Sequence, residues 1–306
     1  MPELDWQPDF EVDVRLTLSV LSVGAGDPCQ RITPDGSVWR ASLMDTGAAT
    51  LRVRSVGENR VRVLAWGPGA DEAIGRLPEL LGANDDPQSF RPDVPLLREA
   101  ARRLRGLRIP CSGRLLEALI PAVLHQKISG RDASDSWSWL VRRHGEPAPG
   151  PLPFPMWLPP SPKAWLAVPQ WDWRRAGVEP SAVATIRLAA SRAGSLERIA
   201  ATSGADHSAT YRALTSLAGI GPWTCAEVGH RALGDADALS VGDYNLPALT
   251  SFALAGRQLC DAEVESFYEQ WRPHRYRVTR LLELTPSAWP PRRGPRMSRP
   301  EHRHGW

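Results

Sequence analysis

The stretch "LTSLAGIGPWTCAEVGHRALGDADALSVGDYNLP", Leu214 to Pro247, decides how the chain folds. Helical patterning runs to Leu217 and stops at Ala218 and Gly219, and a second helix can begin at Gly221. Pro222 then falls in the first helical turn, where a missing N–H costs nothing. The pattern is helix, tight turn, helix. Glycines at 219 and 221 allow close approach of a partner to the backbone, and the amides of the turn and of the new helix point outward at a positive dipole end. Such a turn suits an anion. In the following segment stands an acid, Asp243, which on its own reads as a cap before "YNLPALT".

The neighbouring sequence is also helical. "SGRLLEALIPAVLHQKIS" puts Leu115, Leu119, Ala122 and Gln126 on one stripe, with Pro121 expected to kink it or start a new turn. "DASDSWSWLVRRHG" predicts another helix with Asp132 as its cap. Between Gly145 and Lys163 lie eight prolines, which predict an extended connection inside the helical region. No strand is predicted after the loop "NDDPQSFRPDVP". Before that loop the period is two. "FEVDVRLTLSV" alternates from Phe10 to Val20 and predicts a half-buried strand. "ATLRVRSV" and "NRVRVLAW", joined at Gly57-Glu58-Asn59, predict an antiparallel hairpin with one wet face, and "GADEAIGRLPELLGA" predicts a helix. The expected fold class is α+β: an N-terminal antiparallel β-sheet domain with a helix over residues 1–95, an all-α region over 96–285, and a basic irregular tail over 286–306.

With 306 residues the chain has room for two domains that each bury a core. Its apolar fraction of 42% and charged fraction of 23% are those of a globular protein. No uncharged apolar run approaches the roughly 20 residues of a membrane span. "MPELDWQPDF" lacks a basic start and an apolar core, so the expected location is the cytoplasm, with no membrane partner. Cys29, Cys111, Cys225 and Cys260 are far apart and read as reduced structural thiols. The net charge is only +3, but six arginines stand between Arg98 and Arg114 against one acid, and five follow Thr285 against one acid. Either group is a solvated surface or a contact for a polyanion, and both readings stay open.

"LAGIGPWTCAEV" followed by "SVGDYNLP" resembles the helix-hairpin-helix DNA glycosylases, and most of all their AlkA-like branch, the 3-methyladenine DNA glycosylase II type. The resemblance extends to "LIPAVLHQKISGRDA" and "WRPHRYRVTRLLEL". It implies a monomer that flips a damaged nucleotide out of duplex DNA and hydrolyses its N-glycosidic bond to begin base-excision repair. It further implies that Gly219, Ile220, Gly221, Trp223 and Thr224 grip the phosphates, and that Asp243 stabilises the positive charge developing on the sugar. Gln126 and Lys127 fall where relatives fill the gap left by the flipped base.

Relatives that also cut the strand have a lysine after the hairpin proline, which attacks C1′ as an amine. Here that residue is Trp223, and Lys127 and Lys163 are the only lysines, so no lyase activity is expected. An alkylated purine is cationic and suits aromatic walls, yet two positions where relatives place pocket aromatics are Glu227 and Glu283. Trp223, Glu227, Tyr244 and Glu283 are therefore the base-pocket candidates. Whether the two glutamates meet the base or pair with Arg231 and Arg280 stays open, as does a different base, such as a deaminated purine. A non-catalytic DNA damage-binding protein is the further alternative. No cofactor and no side-chain metal site are expected; the resemblance leaves room for a monovalent cation at the carbonyls of Leu217, Gly219 and Ile220.

Overall fold

The segment expected as a strand from Phe10 to Val20 is a helix instead. Asp13 caps it, accepting the Leu16 amide at 2.9 Å, and α1 (Val14–Ser19) follows. Val14, Thr17, Leu18 and Leu21 stand at i, i+3, i+4 and i+7 and are buried, with Val20 beside them, so a helical stripe runs across the alternating pattern. The cap selects between the two periods.

This computed structural model describes residues 2–57, 59–202, 204 and 206–291. Its strands are β1 (Glu3–Trp6), β2 (Gln30–Ile32), β3 (Val38–Met44), β4 (Gly47–Ser55) and β5 (Val61–Trp66), in one antiparallel sheet of order β1-β5-β4-β3-β2. The expected hairpin is β4 with β5, Val53 lying opposite Val63. Val38, Leu51, Val53, Val61 and Val63 form the inner face, which packs on α1, α2 (Ala70–Gly75) and α3 (Leu77–Leu80).

The outer face is wet only in part. Trp39 and Ala41 of β3 lie beneath Met156 and Leu158, and Trp39 stacks on Trp66 at 5.5 Å. The proline-rich segment therefore crosses the sheet rather than running inside the helical region. Its prolines lack amide donors, so the strap makes only scattered backbone bonds, Ala148 to the Met156 carbonyl at 3.0 Å and Leu158 to the Glu146 carbonyl at 2.8 Å, and no ladder.

Helices follow: α4 (Pro95–Arg103), α5 (Leu115–Leu124), α6 (Gly130–His144), α7 (Pro162–Ala167), α8 (Gln170–Arg175), α9 (Pro180–Thr202), α10 (Ser208–Thr215), α11 (Pro222–Val228), α12 (Leu246–Thr250), α13 (Asp261–Tyr268) and α14 (Arg275–Glu283). The centre is α5, buried along nearly its whole length against α9 and α11. Pro121 lies within α5, and the helix continues through it to Leu124. Asp132 does not cap α6; Ser129 does, its hydroxyl accepting the Asp132 amide, and Asp132 sits in the first turn. A second helical core gathers Leu97, Leu249, Tyr268, Val278 and Leu282.

Glu117 joins sheet to helices, its carboxylate accepting from Arg40 at 2.9 Å, the Ser42 hydroxyl at 3.0 Å and the Leu43 amide at 2.9 Å. Much of the arginine group between 98 and 114 is consumed internally. Arg102 and Arg103 pair with Glu99, Arg114 with Asp45, and buried Arg108 donates to the carbonyls of Gly82 and Asp85. Of the expected tail, residues 292–306 with their five arginines lie outside the described residues. Among the described residues, no helix is long and apolar enough to cross a membrane.

Candidate active site

The turn between α10 and α11 has the geometry its glycines suggested. Gly219 has φ +88°, and a Cβ there would sit 2.1 Å from Thr185 Oγ1, so only glycine fits. Gly221 differs. A Cβ on it would meet nothing within 4 Å, because it faces open space at the head of α11. The first-turn amides of Trp223 and Thr224 have no intrahelical carbonyl to bond, and they share this outward end. Ile220 and Leu217 anchor the turn by packing into the helical core.

Gln126 fixes the hairpin to α5. Its side-chain amide donates to the Gly219 carbonyl and to Thr224 Oγ1, both at 2.9 Å. Of the three carbonyls implied for a cation, Gly219 thus accepts Gln126, and Leu217 accepts the Ile220 amide. Beyond Gln126 the chain tip is exposed, and Lys127 takes a positive φ of 59° that non-glycine residues rarely adopt.

Asp243 is held from two sides. Oδ1 accepts the Asn245 amide at 2.8 Å, and Oδ2 lies 3.4 Å from Trp223 Nε1. Asp243 does not cap α12: Asn245 is the N-cap residue, with no side-chain cap, and Asp243 instead closes a turn just before the helix by accepting the Asn245 amide. Asp243 lies on the wall of a cleft of about 430 Å³, between α5 and α11 on one side and α12 and α14 on the other. Segment Ser19–Gly24, which links α1 to β2, lines the same cleft.

The far wall is charged. Glu227, one turn after Trp223, accepts from Arg231 Nη1 at 2.7 Å and from the Ser240 hydroxyl at 2.6 Å. Burial alone would raise its pKa, but the Arg231 charge and the Ser240 hydroxyl hold it down at about 2. Glu227 is therefore an anion whose two oxygens both accept hydrogen bonds. His230 is buried beside it and stacked on Tyr276 with 3.8 Å between centroids. Burial and the neighbouring Arg231 push its pKa down to about 3, so it is neutral. Glu283 pairs with Arg280 at 3.0 Å, and Arg280 also donates to Ser19 Oγ. Burial raises Glu283 despite the Arg280 charge.

Both glutamates expected at the pocket consequently line the cleft and make ion pairs at once. Tyr244 is placed elsewhere: it is 94% exposed and outside the cleft lining. Sequence reading missed His125, Ser240, Tyr276 and Trp289, which also line it. His125 donates Nδ1–H to the Pro121 carbonyl at 2.8 Å, and with burial lowering its pKa its Nε2 is left an acceptor. The spacing of Glu227 and Arg231 carried a signal for their pairing; nothing local signalled Tyr276.

A sheet followed by helices, a glycine hairpin tied to α5, and an aspartate beside it in a cleft define the helix-hairpin-helix glycosylase fold. The 3-methyladenine DNA glycosylase of Archaeoglobus fulgidus superposes with a TM-score of 0.76 at 21% identity, over 92% of this chain and 97% of that one. The 8-oxoguanine glycosylase/lyase of Clostridium acetobutylicum, in its apo form, gives 0.71 at 11% identity over 92% and 96%. No family model matches the chain. Among curated proteins, a probable bifunctional transcriptional activator/DNA repair enzyme AlkA of Mycobacterium tuberculosis is 30% identical over 233 residues, 72% of this chain and 44% of the relative. The chain thus spans less than half the length of the curated relatives it matches. By sequence and fold together, this chain belongs to the AlkA-like branch of the helix-hairpin-helix DNA glycosylases.

Proposed function

We propose that this chain is a DNA glycosylase acting in base-excision repair, a monomer that hydrolyses the N-glycosidic bond of a damaged purine in duplex DNA. The observation that carries this is the carboxylate of Asp243, fixed between the Asn245 amide and Trp223 beside the hairpin. Rupture of the bond leaves positive charge on the sugar ring, and a fixed anion in a partly water-excluded cleft stabilises it. The outward amides at Gly221 would hold phosphates, while the exposed tip at Lys127 would fill the space of the flipped nucleotide.

No lyase step is expected. Trp223 offers no amine at the hairpin, and Lys127 and Lys163 are the only lysines of the chain. Family resemblance favours an alkylated purine of the 3-methyladenine type. The charged wall of Glu227, Arg231, Arg280 and Glu283 favours a second reading, a neutral damaged purine held by hydrogen bonds. The test is incubation with duplexes that each carry one modified base, scoring released base and alkali-labile sites, with borohydride added in parallel. Base release without a trapped protein–DNA adduct is the expected result. A trapped adduct would contradict the hydrolytic mechanism, and absence of release from every duplex would contradict the activity itself.

A further inference from the structure

A third wall of the cleft comes from the sheet domain and is held by a buried acid. Ser22, Val23 and Gly24, in the link from α1 to β2, line the same cleft as Trp223 and Asp243. Behind them Asp27 is buried and pins the link through both carboxylate oxygens. Oδ2 accepts the Val23 amide at 2.8 Å, while Oδ1 accepts the Cys29 amide at 2.9 Å and the indole N–H of Trp137, from α6, at 3.0 Å. One oxygen thus holds the cleft wall and the other joins the sheet domain to the helices. Among the described residues no cation bonds Asp27; Arg40, whose charge it feels, is spent on Gln30 and Glu117. Burial accordingly raises its pKa against the pull of its three donors. Three N–H donors need a group that only accepts, and the site keeps one despite the cost of burying a charge. The link also rests on α6. The Gly26 carbonyl accepts the Ser138 hydroxyl at 2.9 Å, and a Cβ on Gly24, whose φ is +75°, would lie 2.5 Å from Ser134 Oγ.

We propose that Asp27 is a positioning residue for the glycosylase reaction: through Oδ2 and Val23 it sets the wall against which the flipped nucleotide rests while Asp243 faces its sugar. This rests on the function proposed above and adds a residue to it. An extrahelical nucleotide is held only by contacts that replace its lost stacking and pairing. A wall fixed before the nucleotide arrives supplies those contacts without an ordering cost, whereas a loose wall must be ordered at every turnover. Asparagine separates the two oxygens. With its single amide oxygen turned toward Cys29 and Trp137 it keeps the joint between the domains, and its NH2 group then faces the Val23 amide, donor against donor. Asp27→Asn therefore releases the wall selectively. Trp137→Phe does the converse, removing a partner of Oδ1 and leaving Oδ2 on Val23.

The experiment is single-turnover base release by the whole chain, at saturating protein, from duplexes carrying hypoxanthine, 8-oxoguanine or 3-methyladenine. Tm and the affinity for an undamaged duplex are measured on each variant alongside. Expected in Asp27→Asn is a loss of at least about tenfold in release from every duplex that wild type processes, with undamaged-duplex affinity kept within about twofold. Trp137→Phe is expected to lower Tm and to leave release within about threefold of wild type. Gly24→Ala displaces the same wall from the side of Ser134 at an exposed residue, so it is expected to fold and to reproduce the loss, and it decides the matter should Asp27→Asn not fold. Release within about threefold of wild type in the folded variant that loosens the wall would overturn the inference and leave the glycosylase function standing. Losses that simply follow Tm across all three variants would also overturn it, since they would make Asp27 a structural residue only. Absence of release by wild type from all three duplexes would remove the inference and the function together.

Discussion

The two sides of the cleft are built on different principles. On the hairpin side, Gly219, Gly221, Trp223 and Asp243 come from one continuous stretch, and turn geometry sets their positions. On the far wall, Glu227 and Arg231 meet Tyr276, Arg280 and Glu283 of α14 and the backbone of Val20, so their positions depend on three distant segments packing together. The groups proposed to act on sugar and phosphate are thus set locally, whereas the groups of the far wall are set by assembly. A wall of this kind can change its chemistry while the hairpin side stays intact.

If the far wall is an integrated charge network, its largest signature is in acid. His230 has its folded pKa depressed to about 3 from an ordinary 6.5. The unfolded chain therefore binds a proton that the folded chain refuses, and stability falls by about 1.4 kcal/mol per pH unit as pH drops below 6.5. Glu227, held at about 2, adds its own loss only below its ordinary value of 4.5. Urea melts between pH 7 and pH 5 are expected to slope accordingly in wild type and to slope less steeply in His230→Gln, where His125 and His274, also lowered by burial, still contribute. An equal slope in both would mean that the wall is not protonation-linked.

The next contrast lies within the hairpin. Gly219→Ala is expected to cost about 2–3 kcal/mol, combining a strained positive φ with a collision against Thr185. Gly221→Ala has open space and is expected to leave stability within about 0.5 kcal/mol while weakening duplex affinity. Similar stability losses in the two variants would erase the distinction between structural and contacting glycine. Ser240→Ala removes the 2.6 Å hydrogen bond to Glu227 and is expected to cost about 1–2 kcal/mol in chemical denaturation. Smallest of all, Tyr244→Ala should shift stability by less than about 0.5 kcal/mol, since the ring is 94% exposed.

These contrasts also explain what could be read before the fold was known. The hairpin was legible because glycine and proline have strong local meanings at a turn. The segment expected as a strand from Phe10 to Val20 holds a helix because Asp13 caps it and Thr17 and Leu21 complete a helical stripe with Val14 and Leu18 that the alternation conceals. Ser129 outcompeted Asp132 as the cap of α6 by preceding the first turn, where its hydroxyl reaches the amide. No alternation marks β3, because Trp39 and Ala41 on its outer face are covered by the proline-rich strap. Tyr276 and Ser19 reach the cleft only through tertiary packing, so no spacing in the chain could have indicated them.

The most direct test of the account is the effect of Asp243→Asn on single-turnover base release, with the affinity for the same damaged duplex measured alongside. The account predicts a loss of at least about 100-fold in release with affinity preserved within a few fold, because the substitution removes the anion and leaves the hairpin grip. Release within tenfold of wild type would contradict Asp243 as the group that stabilises the sugar cation.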